Sequence, residues 1–241
     1  MNKAKILSRR PRGRPRGFDR DDALNRAMRL FWERGYEVTS VSELTKAMGI
    51  TPPTLYSFFG DKKRLFLEAV DHYQAGPGCF AAKALTEEPT AERSIRRLLM
   101  EAVVSFSNPR GPKGCMVVLG AINCAVESSE VFAALADRRR AAQTAIRARI
   151  AAGRVAGEIS EDADIDALTG LVVAILFGLA IKARDGASRA ALRKVVDQAM
   201  QSWPKFDNCI QNPLKTKAKT AKFSTYTGPS AISLRRSLRV Q

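Results

Sequence analysis

The side chains in this sequence that are equipped for chemistry are donors suited to a polyanion. Thr51, Pro53, Thr54, Tyr56 and Ser57 fall within seven positions, with Thr39 and Ser40 shortly before them and Lys62 shortly after. Pro53 offers apolar surface and the others hydroxyl or ammonium donors, a set that suits the phosphates and base edges of duplex DNA once a helix-turn-helix presents it, some contacts setting position and others reading sequence. Thr51, Pro53, Thr54 and Ser57 are expected to face the major groove. Tyr56, Lys62 and Thr39 are expected to meet phosphates, and Ser40 joins this DNA-binding set. Groups for catalysis are sparse. His72 is the single histidine, and the chain has no GxSxG, HExxH, P-loop or GxGxxG pattern. No catalytic residue, metal site or cofactor is expected. Cys115 is the one thiol of interest, since it follows Gly111-Pro112-Lys113-Gly114 and opens an apolar run. A helix dipole with Arg110 and Lys113 nearby would lower its pKa, as suits a sensor of electrophiles or oxidants. The plainer alternative is a small buried residue at a tight helix start.

Three short helical patterns position the donors. From about Asp19 to Arg34, Ala23, Ala27, Leu30 and Phe31 recur on one face of a 3.6-residue period, with Asp19 placed to cap the start and Gly35 to end it. Ser40 and Glu43 then form the S-x-x-E capping box of a second helix burying Val41, Leu44 and Met48 before Gly49. The third opens at Thr51, with Pro52 at the first helical position, where its missing N–H costs nothing. Leu55 and Phe59, one turn apart, must face inward, which leaves the hydroxyls outside. A helix, a tight turn and a second helix are what helix-turn-helix proteins set in the major groove.

The stretch ALNRAMRLFWERGYEVTSVSELTKAMGITPPTLYSFFGDKKRLF, from Ala23 to Phe66, resembles the N-terminal domain of the tetracycline-repressor-like (TetR) transcriptional regulators. The matching positions are Ala27, Leu30, Phe31, Gly35-Tyr36, Thr39-Ser40, Ile50, Thr54-Leu55-Tyr56, Phe59 and Asp61-Lys62. The departure is Phe58, where the family commonly has His. The resemblance implies an all-α fold: an N-terminal three-helix helix-turn-helix domain followed by a helical ligand-binding and dimerisation domain. It also implies a homodimer on a palindromic operator, joined through its last two helices as a four-helix interface. A small-molecule effector would release it, and sensing through a cysteine is known in part of the family.

The net charge of +16 is concentrated at the ends. Residues 1–17 hold seven Lys or Arg and no acid, and residues 204–241 hold eight with one Asp, so removing both from the total leaves +2 for the middle. Basic arms of this kind attract nucleic acid; a membrane is the competing polyanion, and neither arm has a convincing amphipathic pattern. Pro11-Arg12-Gly13-Arg14-Pro15 resembles the AT-hook. Glycine lets an extended backbone lie deep in a groove and the prolines keep it from coiling. Arg12 and Arg14 then suit a narrow A·T-rich minor groove. A solvated basic leader with no preference is the equal alternative. The expected divisions are a disordered arm at 1–17, the DNA-binding domain at 18–74, the effector-binding and dimerisation domain at 75–205, and a disordered basic tail at 206–241.

Beyond Tyr73 the patterns are helical throughout. Residues 75–89, with Gly76-Pro77-Gly78 and Glu87-Glu88-Pro89, are expected to form an irregular connection. Helices are expected over about Ala91 to Ser107, Cys115 to Val126, Ser128 to Ala156, Asp164 to Arg184 and Ser188 to Trp203. An apolar effector pocket is expected between the first three of these. Arg138, Arg139 and Arg140, with Arg147, Arg149 and Arg154, are expected to form a solvated face. Glu161, Asp162, Asp164 and Asp166 sit at a helix start, where carboxylates favour the dipole.

The apolar run from Ala167 to Ile181 is about 15 residues long, shorter than the ~20 of a membrane span, and is expected to be a buried helix. Gly170, Ala174 and Gly178 make a small-residue stripe along it, fitted to a dimer interface; the alternative is a central core helix. No apolar segment follows the basic start, and Cys79, Cys115, Cys124 and Cys209 form neither a disulfide framework nor a metal pattern, so a reducing cytoplasm is expected. Two functions follow: a repressor released from its operator by a small molecule, or an architectural nucleoid-type DNA-binding protein with no effector. A discrete palindromic site separates them.

Overall fold

The computed structural model describes residues 18–122 and 124–204, and within them every regular element is a helix. Arg12, Arg14 and the basic tail lie outside the described residues. The chain order is α1 (Arg20–Arg34), α2 (Val41–Met48), α3 (Pro52–Phe59), α4 (Lys62–Ala75), α5 (Phe80–Glu87), α6 (Ala91–Phe106), α7 (Met116–Leu119), α8 (Ser129–Val155), α9 (Ile165–Arg184) and α10 (Arg189–Gln201).

Local signals fix the first four helices. The Asp19 carboxylate accepts from the backbone N–H groups of Asp21 and Asp22. At α2 both halves of the capping box are made: Ser40 N donates to Glu43 Oε2 at 2.9 Å and Glu43 N donates to Ser40 Oγ at 3.2 Å. Such a box satisfies two orphan N–H groups and contributes about 1 kcal/mol. Gly49 ends α2 in the left-handed region at φ 71°, ψ 33°, open to glycine without strain. Asp61 Oδ1 accepts from Arg64 N at 2.7 Å and starts α4.

Two apolar cores result. The first joins α1 to α4 around Phe31, Leu44, Leu55, Phe59, Phe66 and Tyr73, and it also contains Met116, Ala121, Val131 and Leu135. Apolar packing therefore runs from the three-helix unit into the segment around α7 and the start of α8. The second core is built by α6, α8, α9 and α10, with Leu98, Leu99, Ile150, Val172, Leu179 and Val196 among its members.

Three sequence expectations need correction here. Residues 75–89 are not wholly irregular, because α5 forms within them; Phe80, Ala81, Ala84 and Leu85 give it an apolar face against α6, which outweighs the turn formers at each end. The apolar run from Cys115 to Val126 is not one helix. Its α-helix lasts four residues. The Gly120 carbonyl is diverted to accept the backbone N–H of Tyr36 at 2.8 Å, and a short 3₁₀ turn, Val126–Ser128, leads into α8. Half of the arginines of α8 are bonded rather than solvated: Arg138 bonds Asp71 and Gln74, Arg139 donates to Val117 O, and Arg149 reaches Ser94, while Arg140, Arg147 and Arg154 are exposed as expected.

Candidate nucleic-acid interface

Leu55 and Phe59 are buried on the inner face of α3, and this orients everything else on it. Thr51, Pro53, Tyr56 and Ser57 are exposed, and Thr54 is half-buried. Thr51 caps the helix, with its hydroxyl 2.9 Å from that of Thr54, so two of the expected groove-facing hydroxyls are already ordered against each other. Phe58, also exposed, tilts against Phe18 at 4.5 Å between ring centroids. The surface of α3 is thus a short polar face carrying two aromatic rings, held from behind by an apolar anchor.

Lys62, at the first position of α4, lies with its ammonium 4.3 Å from the Tyr36 ring centroid and 3.3 Å from Glu37 O. Burial pushes its pKa down, opposed by nearby carboxylates. Ser40 is exposed, yet its Oγ is engaged by Glu43 on both sides of the capping box. Thr39 corrects the expectation of a phosphate contact through its side chain. It is fully buried, and its hydroxyl donates to Gly35 O at 2.6 Å, satisfying a carbonyl at the end of α1. The exposed residue beside it is Val38.

Hydrogen bonds from Arg184 and Trp32 help tie this unit to the body. Arg184, in the last turn of α9, donates from Nη1 to Glu33 O and from Nη2 to Trp32 O, each at 2.7 Å, and from Nε to Lys113 O at 3.0 Å. The first two are carbonyls that a helix end leaves without partners. Trp32 Nε1 in turn donates to Gly114 O at 3.1 Å.

Cavities of about 310 Å³ and about 100 Å³ adjoin in the body and share Gln74, Gly78, Ala81, Arg138, Ala142 and Leu176 in their walls. The smaller reaches Tyr73, Phe106, Cys115, Val117 and Phe177. The expected walls from α6, the Cys115 segment and α8 are present. The contributions of α5 and α9 were missed, although the 80, 81, 84, 85 spacing was a readable signal for the former. Cys115 corrects another expectation. Burial pushes its thiol up, outweighing the Tyr73 hydroxyl that donates to Sγ at 3.5 Å. Lys113 Nζ is turned away to Ser107 O and Asn108 O, and a four-residue helix supplies little dipole.

α9 is not the buried helix expected. It is 20 residues long, with an 18-residue window of mean hydropathy 2.0, long and apolar enough to cross a membrane, yet only 33% of that window is buried. Leu171 and Ile181 are exposed, as are Gly170 and Ala174, while Gly178 is half-buried.

Comparison with known proteins decides the family. Residues 23–69 match the family described as bacterial regulatory proteins, tetR family, and residues 91–200 match its tetracyclin repressor-like C-terminal domain. The chain belongs to the TetR family. Its relatives include the HTH-type transcriptional repressor ComR of Escherichia coli (strain K12), 32% identical over 200 residues that span 81% of this chain and 94% of ComR. The HTH-type transcriptional repressor BdcR of the same strain is 30% identical over 176 residues, 73% of this chain and 84% of BdcR. Among solved structures, a cysteine-substituted variant of the TetR family regulator CifR, complexed with 26-bp double-strand operator DNA, is 41% identical with a TM-score of 0.76. That match covers 80% of this chain and 100% of CifR. The TetR assignment accounts for the order of the parts, a helix-turn-helix unit first and a helical body second.

Proposed function

We propose that this TetR-family chain is a homodimeric repressor that reads a palindromic operator with α3 of each subunit and leaves it when a small molecule enters the body cavity. The observation that carries the reading is α3 itself: Leu55 and Phe59 are buried while Thr51, Pro53, Tyr56 and Ser57 stand exposed on the other side. The operator complex of the 41% identical CifR supports it. Lys62 and Tyr56 supply phosphate contacts at the helix ends, and Arg12 and Arg14 of the arm follow the duplex. The uncovered small-residue face of α9 supports the dimer. The protein acts in the cytoplasm, where its DNA lies.

The effector enters largely apolar walls, and burial, which pushes the Cys115 thiol up, favours non-covalent binding there. A sensor role for Cys115 predicts the opposite, fast labelling by iodoacetamide that ends operator binding. Sequencing the DNA fragments retained by the full-length protein tests the main reading, with the gene's own promoter as the first candidate. Two half-sites about 34–36 Å apart, or a multiple of one turn, are expected. Fragments sharing no palindrome would favour the architectural nucleoid-type function instead. Deleting residues 1–17 should weaken binding more on A·T-flanked than on G·C-flanked operators; equal losses make the arm a plain basic leader.

A further inference from the structure

We propose that the cleft between α1 and the body is a second ligand site, built for a small amphipathic organic anion such as an aromatic carboxylate. Its volume is about 570 Å³, within the ~300–1,000 Å³ typical of small-molecule sites. The floor is apolar: Met28 and Trp32 of α1 face Phe80 of α5 and Val104 of α6. Val104 is 52% exposed, a large apolar side chain left open toward the cleft.

Three arginines line this cleft, Arg29 on α1, Arg110 in the loop after α6, and Arg189 at the start of α10. Among the described residues none of the three makes a salt bridge, although nine other arginines do. The one carboxylate in the wall, Glu101, is taken by Arg97 at 2.7 Å. Arg29 Nη2 donates to the backbone carbonyl of Arg110 at 2.5 Å, which ties α1 to the loop that carries Arg110. Arg189 spends Nε on Ser107 Oγ at 3.1 Å and Nη2 on Val104 O at 3.5 Å. Exposed arginines on a basic protein are ordinary. Their convergence from three distant positions onto one apolar-floored concavity is not. A guanidinium fork matches a carboxylate in two parallel hydrogen bonds, and the floor selects an anion with an apolar body over free phosphate. One wall belongs to the DNA-reading unit and the other to the body, so an occupant that fits one angle between them favours that angle.

Titrating the full-length protein with anilinonaphthalene sulfonate, an aromatic anion that fluoresces when buried, tests the site, with benzoate and neutral benzamide as competitors. We expect saturable binding, displaced by benzoate but not by benzamide. The pair Arg29→Gln with Arg110→Gln should weaken it about tenfold or more, the scale of losing hydrogen bonds to charged groups. Ala81→Trp, which plugs the Cys115 cavity, should leave it unchanged. Arg110→Glu, at an exposed loop position, carries the same test if the paired variant melts early. Parental affinity in the arginine variants, loss of binding in Ala81→Trp, or equal displacement by benzamide each overturns the proposal.

Discussion

Replacing Gly178 with leucine separates what one subunit needs from what two need. Among the described residues, a Cβ at Gly170 or Gly178 meets nothing within 4 Å, so the substitution has room there. A glycine inside a helix is also ~0.5–1 kcal/mol less favourable than a good helix former, so the isolated subunit should gain slightly. In a two-fold dimer closing over Gly170, Ala174 and Gly178, the leucine instead overpacks the contact. Overpacking costs about 1–3 kcal/mol per site, and symmetry applies it twice. The resulting 2–6 kcal/mol raises the dimer Kd by roughly thirtyfold to more than ten-thousandfold, well beyond the helix gain. Sedimentation over a concentration series should show Gly178→Leu dissociating where the parent stays dimeric, with operator binding lost and the subunit's melting temperature kept. A variant that remains dimeric would refute the placement of the interface on α9. One that melts early as a monomer would refute the open space around Gly178.

Lys62→Ala should weaken binding to every DNA sequence and flatten the dependence of log K on log salt by about one unit, measured by fluorescence anisotropy; a changed base preference would contradict a phosphate role. Arg184→Met removes donors from three carbonyls and should cost about 1–2 kcal/mol in chemical denaturation, less than full burial implies because the site is partly solvated. The same variant should loosen operator binding, and an unchanged affinity would mean that the α9 tie is only structural. Burial holds the Cys115 thiol and the Tyr73 phenol above their ordinary values. Raised acids keep their protons longer folded than unfolded, so this stability is complete below the ordinary thiol pKa of ~8.5 and is lost as pH rises through the folded values. Melting temperatures should therefore fall above about pH 8.5, and Cys115→Ala should blunt the first part of that fall; a fall of the same shape in both proteins would assign it elsewhere.

The helices of the DNA-reading unit were legible because their signals are local. Asp19, Ser40 with Glu43, Pro52 and Asp61 each act within four residues, and Leu55 and Phe59 fix which side of α3 faces out. What sequence misread depended on how the chain folds back on itself, over a few residues or over many. Thr39 looks like a free donor before a helix, but the end of α1 folds back to offer it the Gly35 carbonyl. Cys115 looks activated by Lys113 until the loop closes and turns that ammonium onto its own carbonyls. The run after Cys115 has the composition of a central helix, yet Tyr36, some eighty residues earlier, claims its Gly120 carbonyl.

If the proposed effector enters the cavity, that broken run is the segment that would carry its displacement to the DNA-reading unit. Cys115 and Val117 line the cavity, and Val118 packs in the body core. Met116 and Ala121 are buried in the core of α1 to α4, against which Cys115 and Val117 also pack. The two ends are pinned to α1 and the residues following it, Gly114 O by Trp32 Nε1 and Gly120 O by Tyr36 N. An unbroken helix would rotate as one rod, whereas this four-residue helix between two pinned carbonyls touches both cores within a few residues. A ligand that displaces Cys115 or Val117 therefore cannot leave Met116 in place, and Met116 packs in the same core as the anchors of α3. Arg184 closes the circuit by joining the end of α9 to the same end of α1. Occupancy alone would do nothing in such an arrangement; only a ligand with different affinity for two positions of residues 114–121 would shift α3, by no more than that difference.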